Sequence, residues 1–229
     1  MKEVLLVDDE LAVRKGVRDF LVAEGFSVRT ARDGEDALKK FSDARPDIVL
    51  LDVMMPKLNG FRTCEEIRRM DASVPVIFLT AKDSDLDQIR GLGLGGDDYV
   101  SKDVSEAVLL ARVNRALERS RRQDEQRATH GGEKIRLGSV TVDLRTLRVC
   151  EEDTEIAVLT RTEADLLKCL DAKRGELVLF SDLIVALRGN GYACEDEMLY
   201  VHMSHLRGKL GAASEKISTK RGVGYVLSR

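Results

Sequence analysis

Five short apolar runs alternate with amphipathic stretches over residues 1–120, and that alternation leaves little choice of fold. The runs Val4–Val7, Val28–Ala31, Ile48–Leu51, Val76–Leu79 and Tyr99–Ser101 have strand length. Residues 11–24, 34–43, 59–70, 84–93 and 105–119 carry helical periodicity. Unbroken runs such as Ile48-Val49-Leu50-Leu51 suit strands covered on both faces. Five βα units of this length predict an α/β domain, a five-stranded doubly wound parallel sheet, over residues 1–120. In such sheets the working site lies at the carboxyl ends of the strands.

A polar stretch containing Gly131-Gly132 follows and predicts a flexible linker over residues 121–134. The pattern then changes. Ile135–Leu137, Val140–Asp143, Leu147–Cys150 and Glu155–Val158 suit short antiparallel strands. Helical segments follow at 161–172, 181–187 and 196–209. The first opens on Thr160-Arg161-Thr162-Glu163, a capping box in which Thr160 caps and Glu163 reaches back. Lys216–Thr219 and Tyr225–Leu227 flank Arg221-Gly222-Val223-Gly224 as a hairpin. Residues 135–229 therefore form a second, α+β domain.

The hydrophobic share of 43% exceeds that of a disordered chain. No apolar run approaches the roughly 20 residues that span a bilayer, and the first is too short for a signal peptide. Cys64, Cys150, Cys169 and Cys194 form no C-x-x-C pair, and His130, His202 and His205 lack metal spacing with them. Free thiols in a reducing compartment follow, so the expected location is the cytoplasm, with no membrane partner. Residues 197–229 hold six bases against Glu197 and Glu215, a weak pointer to nucleic acid.

Polar residues fall on the strand ends. Asp8 and Asp9 follow the first strand, Asp52 ends the third, Thr80 the fourth, and Lys102 follows the fifth. One Asp at a strand end is more often a helix cap or turn residue. Five such residues on the ends of four of five strands converge on one rim. Three carboxylates together repel unless a cation neutralises them, and Mg²⁺, a hard ion for oxygen ligands, fits best. Asp52 is the expected nucleophile, forming an acyl phosphate, with Lys102 and Thr80 on the phosphoryl oxygens.

The motifs V-D-D-E (Val7–Glu10), L-D-V-M-M-P with Gly60, L-T-A (Leu79–Ala81) and G-G-D-D-Y-V-S-K (Gly95–Lys102) resemble those of CheY-type receivers. The resemblance implies that Asp52 accepts phosphate from a sensor histidine kinase. It implies Mg²⁺ on Asp8, Asp9, Asp52 and the Met54 carbonyl, with Lys102 on the phosphate. Thr80 and Tyr99 form the implied switch. The receiver then catalyses only its own phosphoryl transfer and dephosphorylation, and the protein is not otherwise an enzyme. An Asp-nucleophile phosphatase needs a second carboxylate two residues on, where this chain has Met54.

L-T-R-T-E-A-D-L-L (Leu159–Leu167), V-H-M-S-H-L-R-G-K-L (Val201–Leu210) and T-K-R-G-V-G-Y-V-L (Thr219–Leu227) resemble the winged helix-turn-helix of OmpR/PhoB-type regulators. In the helix 196–209, Leu199, Met203, Leu206 and Leu210 form the buried stripe. Met198, Val201, His202, Ser204, His205, Arg207 and Lys209 take outer or flanking positions. Arg207, Lys209 and the wing's Arg221 are candidates for phosphates, with Thr219 beside them. Val201, Ser204 and His205 are candidates for base edges. Gly222 and Gly224 let the wing turn tightly. The implied partners are promoter DNA with repeated half-sites, RNA polymerase, and a second copy of the chain on activation.

The chain departs from this family pattern in three places. Lys102-Asp103 stands where the family has Lys-Pro, and predicts a trans peptide. Val108 replaces a Glu that pairs across the receiver dimer, and Gln88 stands at its basic partner's position. Asp98 with Arg112 remains a candidate dimer pair, and Asp97 remains an acid at that face. Glu197 replaces an Arg of the recognition helix, and Leu187 replaces a Trp. Two alternatives follow: a regulator that dimerises or binds DNA without phosphate, and a second domain that contacts protein in place of DNA.

Overall fold

The computed structural model describes residues 1–80, 96–129, 134–189 and 196–229. The chain divides into two compact units, Met1–Ser120 and Arg121–Arg229.

The first unit holds β1 (Glu3–Val7), α1 (Leu11–Ala23), β2 (Ser27–Ala31), α2 (Gly34–Asp43), β3 (Ile48–Asp52), α3 (Gly60–Met70), β4 (Val76–Thr80), β5 (Asp98–Ser101) and the start of α4 (Glu106–Thr129). The strands form one parallel sheet in the order β2-β1-β3-β4-β5. Alternate residues of each strand serve opposite layers. Leu5, Val7, Val49, Leu51 and Phe78 pack with Ala37 and Phe41 of α2 and Cys64 and Ile67 of α3. Val4, Leu6, Ile48, Leu50, Ile77 and Leu79 pack with Leu21 of α1 and Leu109, Val113 and Leu117 of α4. Burying each such side chain contributes about 1.5–3 kcal/mol, which is why the strands read as unbroken apolar runs. Asp33 caps α2 by accepting from the Asp36 amide, and Asn59 caps α3 by accepting from Arg62.

The chain leaves β1 toward β2 on one side and returns to β3 on the other. That reversal opens a crevice at the carboxyl ends of β1 and β3. The expected helix at 84–93 lies outside the described residues. The helix expected over 105–119 runs on to Thr129, across much of the expected linker. Residues 121–129 are mostly good helix formers, and Gly131 is the first breaker.

The second unit opens with β6 (Lys134–Leu137), β7 (Val140–Asp143), β8 (Arg148–Glu151) and β9 (Thr154–Val158), an antiparallel sheet in chain order. The helix α5 (Arg161–Ala172) carries the expected capping box. Then come β10 (Leu177–Leu179), α6 (Phe180–Gly189), α7 (Asp196–Leu210), a 3-10 segment Gly211–Lys216, β11 (Ile217–Lys220) and β12 (Gly224–Leu227). The order β10-β12-β11 adds a strand to the expected hairpin. β10 has three residues, and its partner lies far along the chain, so no local pattern marks it.

That strand changes the role of one glycine. Gly222 turns the wing in the left-handed region, at φ +69°, as expected. Gly224 serves a different need. A Cβ there would lie 2.0 Å from the Val178 carbonyl oxygen, so the approach of β10 demands glycine.

Candidate functional site

The crevice gathers Asp8, Asp9, Asp52 and Lys102. Asp8 and Asp52 are buried and Asp9 is exposed. One carboxylate oxygen from each of the three lies within 4.8 Å of the others, a group that could hold a metal ion. The Lys102 ammonium stands 2.9 Å from Oδ2 of Asp8 and 3.0 Å from Oδ2 of Asp52. The Glu10 amide donates to the other Asp8 oxygen at 2.8 Å. Oδ2 of Asp8 has no aligned hydrogen bond: Lys102 meets it as a charge. A buried carboxylate oxygen left this way suits a cation, and the all-oxygen donor set suits Mg²⁺.

Burial pushes Asp52 up to about 6; Lys102 works against the rise and Asp8 adds to it. Burial also disfavours the Lys102 ammonium, but its contacts with Asp8 and Asp52 outweigh this and raise its pKa. Both effects follow from placing like carboxylates beside one cation in a site poor in water.

The loop after β3 shapes the crevice. A Cβ on Gly60 would sit 2.1 Å from the Asp52 carbonyl oxygen, so α3 can start here only with glycine. Lys57 takes a left-handed φ of 66°, and its ammonium lies 2.6 Å from buried Asp33. Met54 exposes its side chain and donates its amide to Asp52 at 3.3 Å. Thr80 is buried at the end of β4, and its carbonyl accepts from the Lys102 amide at 2.8 Å. Tyr99 is half-buried on β5, its ring 5.1 Å from that of Phe78. The Lys102–Asp103 peptide is trans, as expected.

The residues expected at a dimer face divide. Asp97 is buried and spent inside its own chain: it accepts from Arg68 and Arg119 at 2.8 Å and from the Val76 amide at 2.9 Å. This corrects its expected place at an interface. Both carboxylates of the run Asp97-Asp98 thus meet α4, Asp97 through Arg119 and Asp98 through Arg112. Asp98 pairs with Arg112 of the same chain at 3.2 Å, and its burial raises its pKa. Val108 is 42% exposed on α4. Gln88 lies outside the described residues.

In the second unit, Leu199, Met203, Leu206 and Leu210 of α7 are buried as expected. His202 is buried too, which corrects its expected outer position. It lies three residues after Leu199 and four before Leu206, so helical geometry puts it in the same stripe. Ser204 is exposed, and Val201 and His205 are half-buried. Burial lowers the pKa of His205, while Glu163 works to raise it. Arg207 donates to the Ile217 carbonyl at 2.6 Å and to the Thr219 hydroxyl at 2.8 Å, and lies over the Tyr225 ring. Lys209 is half-buried, and its ammonium lies 2.7 Å from buried Glu163. Thr219 and Arg221 are exposed at the wing. The side chain of Met198 lies outside what is described.

One residue of this face escaped the sequence reading. Tyr200 is 48% exposed, with its ring 5.3 Å from Phe180, which lies 5.4 Å from Tyr225. Its spacing of four from exposed Ser204 was the available signal.

Residues 4–114 match the family described as response regulator receiver domain, and residues 153–227 match transcriptional regulatory protein, C terminal. The chain is 38% identical to "Probable transcriptional regulator ycf27" of Cyanophora paradoxa, over 99% of this chain and 96% of that one. It is 36% identical to "Response regulator MprA" of Mycobacterium avium (strain 104), over 98% and 97%. A solved structure of a RitR mutant has a similar fold, with a TM-score of 0.81 at 22% identity over 99% of both chains. Among the described residues no helix is long and apolar enough to cross a membrane.

Proposed function

The chain belongs to the response-regulator family, a receiver joined to a DNA-binding transcriptional regulatory domain, and from that premise we propose that phosphorylation of Asp52 by a sensor histidine kinase controls its binding to promoter DNA. The observation that carries this reading is the Lys102 ammonium between buried Asp8 and Asp52, at 2.9 and 3.0 Å, beside Asp9.

An Oδ atom of Asp52 attacks the phosphorus of a phosphohistidine. The P–N bond breaks, the imidazole nitrogen leaves with the electron pair and takes a proton, and an acyl phosphate forms. Lys102 meets the new negative charge, and Thr80 supplies a hydroxyl to a phosphoryl oxygen. Asp8, Asp9, Asp52 and the Met54 carbonyl would hold Mg²⁺, and the unaligned Asp8 oxygen supports this. The ion supplies charge neutralisation for the incoming group. Attack of water on phosphorus later returns free Asp52 and inorganic phosphate.

Thr80 and Tyr99 then report phosphorylation to the far face of the receiver. Two receivers pair there through apolar packing that includes exposed Val108. Val201, Ser204 and His205 read base edges, while Arg207, Thr219 and Arg221 lie toward phosphates. Two such domains suit half-sites about one helical turn apart. RNA polymerase is the further partner of the promoter-bound dimer, and the cytoplasm, where promoter DNA lies, is the location.

Selection from a random duplex pool, with and without beryllofluoride and Mg²⁺, tests the reading. A repeated site should be enriched only with beryllofluoride, and Asp52→Asn should abolish the enrichment. Equal enrichment in every condition would instead mean that DNA binding does not depend on phosphate.

A further inference from the structure

We propose that Lys209 is a positioning residue, which locks the recognition helix to the capping box of α5 and contributes no phosphate contact. The proposal rests on the second unit binding DNA. Glu163, on the first turn of α5, has a side chain only 3% exposed. Its Oε2 accepts from the Thr160 amide at 2.7 Å and from Lys209 at 2.7 Å. The cap of one helix is thus the anchor for the last turn of another. A buried carboxylate needs a cation, and Lys209 brings it. A phosphate that drew Lys209 away would strip Glu163 of that charge, so the ammonium stays inside.

The second tie gives the lock its meaning. Arg207, two residues earlier, holds the Ile217 carbonyl and the Thr219 hydroxyl of the wing. Side chains two apart on a helix diverge by about 200°. α7 is therefore held from one side by α5 and from the other by the wing, and the two ties set its rotation and tilt. Val201 and Ser204 lie on this same rigid body, so a slip of the last turn moves the groups that meet the base edges.

The test measures affinity against salt concentration, for a labelled duplex enriched from a random pool by the wild-type chain. Each lost phosphate contact makes the slope of log affinity against log salt shallower by about 0.9. Lys209→Met should weaken binding about 10-fold, the size of one lost base contact, with the wild-type slope kept. Glu163→Gln keeps the acceptor for Thr160 but loses the charge, and should reproduce that loss. Lys209→Arg should restore affinity to within about three-fold. The double variant Glu163→Gln/Lys209→Met should be little worse than either single change. Thermal unfolding checks that each variant is folded. A slope shallower by about 0.9 in Lys209→Met, or full affinity in Glu163→Gln, would overturn the proposal. A flat salt response of the wild type would instead remove the DNA reading on which it rests.

Discussion

Asp52 is the residue where burial and chemistry pull hardest against each other. Its carboxyl is pushed up to about 6 from 3.8, chiefly by burial. Folding therefore takes up a proton between those values. The stability this contributes is complete below about pH 3.8 and is lost as pH rises through about 6. In chelator, the wild type should lose about 1–3 kcal/mol relative to Asp52→Asn between about pH 4 and 6.5, in urea unfolding at each pH. Parallel pH profiles for the two proteins would contradict it. Added Mg²⁺ should raise the Tm of the wild type and barely move that of Asp52→Asn. Gly60 gives a steric counterpart. Gly60→Ala forces a methyl against the Asp52 carbonyl oxygen and should cost the receiver about 2–3 kcal/mol in the same experiment. A loss below about 0.5 kcal/mol would show that α3 can back away from β3.

At the scale of elements, the ends of helices and strands carry what their middles cannot. Asp97 joins α3, β4 and α4 through Arg68, the Val76 amide and Arg119. Removing a buried carboxylate shared by the buried Arg119 and the half-buried Arg68 should be costly, because both guanidinium groups lose a counter-charge. Asp97→Ala should destabilise the receiver by about 3 kcal/mol. Calorimetry would read this, and sedimentation should show self-association unchanged. A stable variant that fails to self-associate would return Asp97 to the interface. Thr160→Ala should cost about 1 kcal/mol through the lost cap of α5.

For the whole molecule, the proposed function turns on the coupling between a charge added at Asp52 and pairing of two chains. With Asp97 and Asp98 engaged inside the receiver, the exposed apolar Val108 becomes the better handle on that surface. In the proposed dimer, Val108→Arg would place like charges across the two-fold axis. It should weaken beryllofluoride-dependent dimerisation at least 10-fold in sedimentation, while acyl phosphate formation proceeds as in the wild type. Equal dimerisation would mean that the chains meet elsewhere.

How much of this was written in the chain order follows from the range of each interaction. The five parallel strands, the acid and lysine positions on their ends, the capping box and the stripe Leu199-Met203-Leu206-Leu210 are local patterns. Each declares itself within one or two turns of helix or one strand, so sequence alone determined them. The strand Leu177–Leu179 is too short to declare itself, and its partner Gly224–Leu227 is chosen only when the wing folds back. The same holds for Asp97, Lys209 and His202. Periodicity says which way a side chain leaves its own helix or strand, but the neighbour that meets it comes from a distant part of the chain. A charge that looks free for a partner molecule can already be neutralised within its own domain, and only the tertiary structure decides that, because an ion pair depends on distance in space and not along the sequence.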